Sequence, residues 1–368
     1  MKYIYQLKEW PDFKWDQEKL AKPLTEVRHR QGRLLGRMEG LGFHLRAEAT
    51  LETLTLDVLK SSEIEGEILN ADQVRSSIAR RLGMDIAGLI PSDRNVDGVV
   101  EMMLDATQNF SKPLTRNRLF NWHASLFPTG RSGMHKIVTG AWRNNTKDSP
   151  MQVVSGAMGK EKVHYQAPAS EILAGEMKAF LNWFNSENKI DPVIKAAISH
   201  LWFVTVHPFD DGNGRIARAI ADLQLSRADG SKQRFYSMSA QIRKERNDYY
   251  NILEKTQKST IDITGWLEWF LNCLGRAISA TDETLGVVMK KARFWEKHVS
   301  VSFNGRQKIM LNKLLDGFDG KLTSSKWAKI AKCSSDTAIR DINDLLTRKI
   351  LEKEAAGGRS TNYILVKI

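Results

Sequence analysis

Apolar residues recur every three or four positions along most of the chain, and this spacing restricts the fold more than any other feature. The pattern is clear from Leu34 to Leu45 and again from Leu51 to Leu59. Further stretches with this spacing are 97–107, 116–126, 171–185, 192–206, 214–227, 245–258 and 264–297. Apolar residues at this spacing form one face of an α-helix. Because no strand–helix alternation is sustained, the sequence predicts a mainly α fold and excludes a doubly wound α/β sheet.

One segment between the predicted helices departs from this pattern. Residues 128–170 contain eight glycines and prolines. Within this segment, residues 151–155 and 162–166 are rich in β-branched and aromatic side chains and flank a Gly-Ala-Met-Gly turn. Two such runs on either side of a glycine-rich turn predict a β-hairpin.

The C-terminal segment has a charge and a pattern of its own. Residues 300–368 carry 13 Lys and Arg against 7 Asp and Glu, which is half of the chain's net charge of +12. Helical spacing over 307–315, 325–332 and 335–347 is followed by two short apolar runs separated by glycines. Three short helices followed by a hairpin predict a winged helix-turn-helix, and the positive charge favours an anionic partner.

A winged helix of this kind could read DNA with its third helix. Thr337 and Arg340 would lie near the start of that helix, and Arg359 would lie on the wing. Asp336, Asp341 and Asp344 place negative charge on the same helix, so docking onto a protein or dimerisation stays open beside DNA binding. A gel shift with residues 300–368 that shows no salt-sensitive binding would exclude DNA.

Residues 207–218, which read HPFDDGNGRIAR, concentrate the side chains suited to chemistry. Two glycines around Asn213 form a turn whose backbone N–H groups can converge on an anion. A helix that begins near Gly214 adds a partial positive charge at the same place. Arg215 and Arg218 lie three residues apart on neighbouring faces of that helix, and each can hold a phosphate bidentately.

The same segment supplies a metal ligand and a base. Asp211 precedes the glycines, where a carboxylate can hold Mg²⁺ against phosphates. His207 can take a proton near neutral pH. Residues 212–217 also match GxGxxA, but Pro208 and two aspartates interrupt the strand and turn of a dinucleotide site. A Walker A loop would require Gly-Lys-Ser/Thr where this chain has Gly-Arg-Ile. The segment therefore indicates phosphoryl or nucleotidyl transfer.

Residues 207–218 resemble the signature of Fic-domain proteins, HPFx(D/E)GNGRxxR, at every defined position. Fic proteins are mostly helical, and most known members use ATP and Mg²⁺ to transfer AMP to a hydroxyl of a target protein, releasing pyrophosphate. The resemblance therefore implies a protein adenylyltransferase whose acceptor is a Ser, Thr or Tyr of an unidentified protein. Some relatives transfer phosphate or another nucleotide, and these usually depart from the signature.

The resemblance assigns a role to each residue of the segment. His207 would be the general base, Phe209 would anchor the loop in the core, and Asp211 would bind the Mg²⁺ that bridges the α- and β-phosphates. The residues that would hold the phosphates are Gly212, Asn213 and Gly214, which form the anion hole, with Arg215 on the phosphates and Arg218 on the γ-phosphate.

Two other segments resemble parts of the family's nucleotide site. The predicted hairpin lies about 50 residues before His207, where the family has a flap that adds a strand to an extended target segment. The flap residues that would line the nucleotide side are Val153, Val154, Ser155 and Gly156. Tyr249, Tyr250 and Gln257 resemble the adenine pocket, although Gln257 stands where relatives often carry Asn. Plain helix packing stays open for the two tyrosines.

Residues 61–66, SSEIEG, resemble the family's inhibitory motif, (S/T)xxxE(G/N). Ser61 and Glu65 are four residues apart and should share a helix face, which Gly66 would end. In the family this glutamate pairs with the second arginine of the signature, here Arg218, and disfavours productive ATP binding. The resemblance implies auto-inhibition and self-modification once it is relieved. Whether Glu65 also supports removal of AMP stays open.

The resemblance to multi-domain bacterial Fic proteins extends over nearly the whole chain of 368 residues. It predicts an N-terminal helical domain over 1–95 with the inhibitory motif, a Fic core over 96–298 and a winged helix over 299–368. Two cysteines 60 residues apart exclude a disulfide scaffold. We see no signal peptide and no membrane span, so a cytoplasmic protein is predicted.

The sequence is compatible with two partners besides ATP and the target hydroxyl. A homodimer and DNA bound through 299–368 are both compatible with the winged helix. The alternative function is a DNA-binding transcriptional regulator whose Fic core senses ATP. The presence of His207, Asp211 and Arg218 favours the enzyme, because a sensor would not need the base.

Overall fold

The computed structural model describes residues 2–40, 43–86, 88–146, 148–156, 160, 162–187, 189–318, 320–354 and 361–366. Helices carry most of this chain, and the mainly α fold predicted from the sequence is confirmed. The helices are α1 Gln17–Glu39, α2 Phe43–Ile64, α3 Ala71–Arg81, α4 Arg94–Gln108, α5 Arg116–Leu126, α6 Leu173–Asn185, α7 Pro192–Val206, α8 Asn213–Asp229, α9 Met238–Lys244, α10 Arg246–Gln257, α11 Thr264–Lys297, α12 Gly305–Leu315, α13 Ser324–Ile330 and α14 Ser335–Thr347.

Within the described ranges the strands are short and form three antiparallel pairs. They are β1 Arg131–Ser132, β2 His135–Lys136, β3 Gln152–Ser155, β4 Lys162–Gln166, β5 Leu351–Lys353 and β6 Tyr363–Leu365. Strands β3 and β4 are the predicted hairpin, and a register shift lies between Val153 and Val154. The β1–β2 pair is too short to leave a periodic signal, so the sequence did not predict it.

The described chain divides into two compact units by its internal contacts. One unit comprises residues 1–82 and 91–282, and the other comprises 83–90 and 283–368. The N-terminal helices thus belong to the same unit as residues 91–282, because α2 packs against α3, α8 and α9. The sequence predicts three domains, which are 1–95, 96–298 and 299–368, and this division stays a prediction.

Helix α7 lies at the centre of the larger unit. All of its residues from Val193 to Val206 are buried, and a helix that is apolar on all sides is typical of a core position. Helix α8, which follows after a six-residue loop, packs closely against α7 and is also largely buried. The loop 207–212 is therefore held at both ends by largely buried helices.

The smaller unit has its own apolar core. Trp327, Met310 and Leu345 are fully buried there and bring α12, α13 and α14 together. Strands β5 and β6 follow these helices as an antiparallel pair. This order of elements agrees with the predicted winged helix, which stays a prediction, and Arg359 of the predicted wing lies outside the described residues. Among the described helices none is long and apolar enough to span a membrane.

Gly98 allows α4 to approach α5 at backbone distance. A Cβ at this position would lie 1.8 Å from the carbonyl oxygen of Ser125. Gly98→Ala is therefore expected to destabilise the protein by about 1–3 kcal/mol, the usual cost of overpacking, which a lowered midpoint of thermal unfolding would reveal. Gly175→Ala on the exposed face of α6 is the control, because no atom lies within 4 Å and alanine favours a helix by about 0.5–1 kcal/mol. Equal unfolding midpoints for the two variants would contradict this account.

Candidate active site

The loop between α7 and α8 is fixed by its own hydrogen bonds. Asn213 Oδ1 accepts a hydrogen bond from the Phe209 N–H at 3.0 Å, and Asn213 Nδ2 donates to the Phe209 carbonyl at 2.8 Å. Gly212 has a φ of 79°, which a side chain would strain, and a Cβ there would lie 2.9 Å from the Phe127 ring. The Asn213 side chain thus braces the loop, and only its backbone N–H is available to the predicted anion hole.

Phe209 anchors the loop, as the sequence predicts. Its side chain is fully buried and stacks on the His123 imidazole, with ring centroids 4.2 Å apart. Burial lowers the pKa of His123 to about 4, so this imidazole is neutral. Its Nδ1 accepts from the Gly140 N–H at 3.1 Å, and its Nε2 donates to the Asp211 carbonyl at 3.2 Å. His123 is therefore a structural support of the loop that the sequence did not reveal.

The two aspartates of the loop have different surroundings. Asp210 Oδ2 accepts from the Val138 N–H at 2.8 Å, which ties the loop to the segment after β2. Asp211 Oδ1 accepts from the Gly212 N–H at 2.6 Å, and Asp211 Oδ2 accepts from the Ser132 hydroxyl. The Gly212 N–H is thus engaged, so the first-turn N–H groups that remain for an anion belong to residues 213–215.

The carboxylate of Asp211 suits Mg²⁺ bound jointly with phosphates. No group of three or more His, Cys, Asp or Glu that could hold a metal occurs among the residues described. Mg²⁺ commonly binds through one or two carboxylates together with substrate phosphates and water. The donor set therefore fits a metal that arrives with the nucleotide, and Asp211 is the residue that would hold it.

One ring nitrogen of His207 forms a hydrogen bond within the protein. Its Nδ1 donates to the Val204 carbonyl at 3.2 Å, which leaves the lone pair on Nε2. The Arg143 guanidinium donates through Nε to the His207 carbonyl at 2.8 Å, and the Arg143 N–H donates to the Pro208 carbonyl at 2.9 Å. Arg143, which is 2% exposed, is a second support of the loop that the sequence did not indicate.

The titration of His207 can be checked directly. Burial lowers its pKa to about 4, and the nearby Arg143 charge acts in the same direction. At pH 6 the native imidazole is then neutral, whereas a histidine in the unfolded chain, with a pKa of 6.5, would be mostly protonated. We expect the imidazole resonance, assigned by its loss in His207→Ala, to titrate near pH 4 in NMR spectra of the nucleotide-free protein. A midpoint at 6.5 or above would contradict this environment.

Arg218 is buried and bound to the segment 61–66, which resembles the inhibitory motif. Its Nε donates to Ser61 Oγ at 2.9 Å, its Nη2 donates to the Ser61 carbonyl at 2.8 Å, and its Nη1 lies 2.8 Å from Glu65 Oε1. Burial by itself lowers the pKa of Arg218, but the Glu65 carboxylate raises it, and the net direction is upward. The guanidinium therefore stays charged at 2% exposure.

The Glu65 carboxylate lies on the first turn of α8. A Cβ built on Gly214 would lie 2.1 Å from Glu65 Oε1, so the glycine is what permits the carboxylate to approach the backbone. A carboxylate beside a helix N-terminus and a buried guanidinium occupies the kind of position that a phosphate would take. The residues present thus fit an anionic ligand, and Glu65 stands in for it.

The local structure around Glu65 differs in one respect from the sequence prediction. Helix α2 ends at Ile64, so Glu65 lies just beyond the helix rather than on one helix face with Ser61. The turn is closed by the Glu65 N–H, which donates to the Ser62 carbonyl at 3.0 Å, and Gly66 follows with a φ of 86°. The turn still directs both Ser61 and Glu65 to Arg218.

The other arginine of the segment is also paired with a carboxylate. Arg215 Nη1 lies 2.6 Å from Glu67 Oε2, and the guanidinium lies over the Phe127 ring at 5.1 Å from its centroid. Its Nε is buried without a hydrogen-bond partner among the residues described. The sequence assigned no role to Glu67, because it lies outside the SSEIEG motif. The sequence feature that could have indicated Glu67 is its position, two residues after Glu65.

The predicted adenine residues lie on α10. Tyr249 is buried, and its hydroxyl is 2.9 Å from His200 Nε2. Tyr250 is 37% exposed and donates to the Ile64 carbonyl at 3.3 Å. Gln257 Nε2 donates to Thr205 Oγ1 at 3.3 Å. Tyr250 thus lies beside the turn that carries Glu65 and Gln257 beside the end of α7, while Tyr249 is mainly a core residue.

The predicted flap residues lie on β3 and at its end. Val154 is 48% exposed, Val153 is half-buried and Ser155 is exposed. Gly156 has a φ of 110°, and residues 157–159 of the predicted turn lie outside the described residues. The hairpin is attached to the core by Tyr165, whose hydroxyl donates to the Thr205 carbonyl at 2.7 Å. The structure thus brings the hairpin next to the end of α7.

Two parts of the chain match families of known proteins. Residues 113–225 match the Fic/DOC family, and residues 3–84 match a domain of unknown function, DUF4172. Protein adenylyltransferase fic-1 of Caenorhabditis elegans is 31% identical over 182 residues, which cover 48% of this chain and 32% of that protein. Protein adenylyltransferase Fic of Nematostella vectensis is 35% identical over 115 residues, which cover 31% of this chain and 25% of that protein. The chain thus spans about a third or less of these relatives.

Solved structures share the fold. A Fic family protein from Desulfovibrio desulfuricans G20 matches over 100% of this chain and 98% of its own, with a TM-score of 0.53 and 20% identity. Fic-1 of Caenorhabditis elegans, residues 134–508, matches over 74% of each chain with a TM-score of 0.50 and 23% identity. At these identities the likeness concerns the fold alone.

Proposed function

Because residues 113–225 form a Fic domain, we propose that this protein is an adenylyltransferase that moves AMP from ATP to a hydroxyl group of another protein. The observation that carries the proposal is the position of the Glu65 carboxylate, 2.8 Å from Arg218 and against Gly214. It marks an anion site at the beginning of α8, next to the His207 imidazole. The names of the similar proteins support the same activity.

The residues of this site would divide the reaction among them. The first-turn N–H groups of α8, Arg215 and Arg218 would bind the phosphates and stabilise the charge that develops during transfer. His207 Nε2 would take the proton of the acceptor hydroxyl, while Nδ1 stays bound to the Val204 carbonyl. Bound phosphates would add negative charge near the imidazole and raise its pKa from about 4 towards the physiological pH range.

Asp211 would hold the metal. Its carboxylate accepts from the Gly212 N–H and the Ser132 hydroxyl, and these bonds fix its orientation toward the loop. When bound, Mg²⁺ would neutralise phosphate charge and orient the pyrophosphate leaving group. The hairpin β3–β4 would align the target segment by strand addition, since an exposed strand edge offers backbone groups to an extended peptide.

Glu65 would inhibit this reaction by occupying the anion site. Arg218 cannot bind a γ-phosphate while Ser61 and Glu65 hold its three nitrogens. ATP would therefore have to displace a carboxylate from a buried guanidinium, and removing one partner of a buried pair costs about 3–5 kcal/mol when nothing replaces it. Low basal activity is the expected consequence.

Labelled ATP tests the proposed activity. The full chain and its Glu65→Gly variant would be incubated with Mg²⁺, a lysate and ATP that carries the label either on the α-phosphate or on the γ-phosphate. AMP transfer predicts label in protein from the α-phosphate alone. Label from the γ-phosphate alone would indicate phosphate transfer and would contradict the proposal, as would the absence of any labelled protein.

Glu67 is expected to restrict ATP in the same way, but more weakly. Its side chain is 38% exposed, and exposed ion pairs contribute about 0.2–1 kcal/mol. Glu67→Gln in the Glu65→Gly background should lower the KM for ATP by roughly 1.4-fold to fivefold, since 1.4 kcal/mol corresponds to tenfold. Glu63→Gln is the matched control, because Glu63 pairs with Lys60 and Arg243 instead. An equal KM in both double variants would refute this role.

The alternative of a DNA-binding regulator rests on the smaller unit. Asp341 is paired with Arg306 at 2.7 Å, and Asp344 is paired with Arg348 at 2.9 Å, so two of the three acids on α14 are neutralised within the unit. This reduces their repulsion of a phosphate backbone. A gel shift of the full chain over a range of salt would test it. Dimerisation through residues 299–368 would instead appear in the molar mass in solution.

A further inference from the structure

A histidine and a tyrosine form a buried polar pair in the core of the larger unit. His200 lies on α7 and Tyr249 lies on α10, and each is 1% exposed. His200 Nε2 lies 2.9 Å from the Tyr249 hydroxyl oxygen. Among the described residues, the other ring nitrogen of His200, Nδ1, has no hydrogen-bond partner. The polar contact of this imidazole thus goes to the tyrosine.

The helix geometry places this pair level with Arg218. Helices α7 and α8 are joined by a short loop and pack closely against each other, so they run antiparallel. His200 lies six residues before the end of α7, and Arg218 lies five residues after the beginning of α8. Both are therefore about one and a half turns from the loop. Tyr250, next to Tyr249, donates to the Ile64 carbonyl at 3.3 Å. Helix α10 thus reaches both His200 and the turn that holds Arg218.

The protonation of the pair agrees with this position. Burial lowers the pKa of His200 to about 3, and the Arg218 charge acts in the same direction, so the imidazole is neutral. Burial raises the pKa of Tyr249, whereas the charge of Arg218 and a hydrogen bond from its guanidinium oppose this rise. A guanidinium can only donate, so the tyrosine oxygen accepts from Arg218 and the hydroxyl hydrogen is left for His200 Nε2. His200 thereby orients the hydroxyl.

The surroundings of Tyr249 do not suit contact with a nucleotide base. Its ring packs against Trp266 and Trp269, with centroids 6.5 and 5.6 Å away, and a side chain that is 1% exposed offers no face for stacking. Phenylalanine would fill the same space without taking a hydroxyl out of water, which is costly unless the hydroxyl is hydrogen-bonded. The hydroxyl is therefore what distinguishes this residue, and it contacts Arg218.

We propose that Tyr249 is a positioning residue for Arg218, with His200 holding its hydroxyl in place. The proposal rests on the proposed function, in which Arg218 binds the γ-phosphate of ATP. In the structure, Ser61 and Glu65 also hold the guanidinium. When ATP displaces Glu65, the guanidinium loses its carboxylate partner but keeps Ser61 and Tyr249. The hydroxyl then keeps Arg218 directed at the phosphate.

The nucleotide affinity of the full-length Glu65→Gly chain tests this role, because ATP carries the γ-phosphate and ADP lacks it. Tyr249→Phe removes the hydroxyl alone. In this background it should weaken ATP binding by about tenfold, the effect of one hydrogen bond to a charged group, and leave ADP binding nearly unchanged. Isothermal titration calorimetry with each nucleotide and Mg²⁺ is the measurement. An equal loss for ATP and ADP would make Tyr249 an adenine contact and, like an unchanged ATP affinity, would overturn the proposal.

Tyr236→Phe in the same background is the matched control. Tyr236 is also buried, and its hydroxyl donates to Asp229 Oδ2 at 2.8 Å at the other end of α8. This variant removes the same kind of buried hydrogen bond, so it should lower the unfolding midpoint without changing the ratio of ATP affinity to ADP affinity. A changed ratio would show that the loss of any buried hydroxyl alters the site, and would contradict a specific role of Tyr249.

His200 offers a second pair of variants in the same background. His200→Gln keeps a side-chain acceptor for the Tyr249 hydroxyl, whereas His200→Leu removes it. Leucine should lower the ratio of ATP affinity to ADP affinity as Tyr249→Phe does, and glutamine should preserve it. Equal ratios in these two variants would contradict the role of His200. ATP affinity that depends on Tyr249 without any labelled protein would support the positioning role and contradict the proposed transfer alone. A Glu65→Gly chain that binds no ATP would contradict both.

Discussion

Glu65→Gly is expected to raise AMP incorporation by about tenfold to a hundredfold over the wild-type chain. The Glu65–Arg218 ion pair is partly buried, so it should contribute between the roughly 1 kcal/mol of an exposed pair and the about 3–5 kcal/mol of a buried one, and each 1.4 kcal/mol is a factor of ten. In the wild type, Glu65 holds Nη1 of Arg218 at 2.8 Å and lies on the backbone at Gly214. Removing the side chain frees Nη1 of the guanidinium and the first turn of α8 for phosphates, while Ser61 still binds Nε and Nη2. Incorporation of α-labelled ATP into total protein is the measurement.

Glu63→Gly is the matched control for a loosened helix end. Glu63 lies on the last turn of α2 and forms ion pairs with Lys60 and Arg243, away from Arg218. The glycine lies inside the last turn of α2, so it should loosen the end of this helix at least as much as a glycine at position 65, which lies beyond it. It leaves the anion site occupied, and incorporation should stay near the wild-type level. Incorporation by Glu65→Gly no greater than by Glu63→Gly would show that Glu65 is no inhibitor.

His207→Ala in the Glu65→Gly background is expected to lower AMP transfer to other proteins by about 100-fold to 10,000-fold, the range found for a general base. The proposed phosphate-binding residues Arg215 and Arg218 and the proposed metal ligand Asp211 are untouched, so ATP should still raise the unfolding temperature. The measurement pairs label in lysate proteins with a thermal shift. Loss of transfer together with loss of the thermal shift would indicate a damaged nucleotide site and would contradict a role confined to proton transfer.

The backbone at His207 calls for a second variant. Its φ is 52°, and of the residues other than glycine, asparagine adopts this left-handed region most readily. His207→Asn therefore preserves the turn without a group that takes a proton near neutral pH. If His207→Asn transferred AMP as fast as the Glu65→Gly parent, His207 would not be the base.

Part of the molecule could be predicted from local patterns. The apolar spacing predicted most of the helices, although not α9, and the β-branched runs around a glycine-rich turn predicted the hairpin, because secondary structure depends on neighbours within a few positions. The signature at 207–218 gave the loop anchor Phe209 because one turn and one helix end bring those groups together. The predicted and observed ends of the elements differ by a few residues. The end of α2 at Ile64 is an example, because a helix end depends on which partner satisfies its last carbonyls.

The sequence by itself determined the helical class and the hairpin, since both follow from spacing along the chain, and its signature predicts the residues of the anion site. Only the tertiary structure decided which groups from distant segments meet there. His123 and Arg143 support the loop from 64 or more positions away, Glu67 meets Arg215 across 148 positions, and His200 meets Tyr249 across 49. Such pairs depend on how the helices pack, and packing is set by the whole core rather than by any local run of residues.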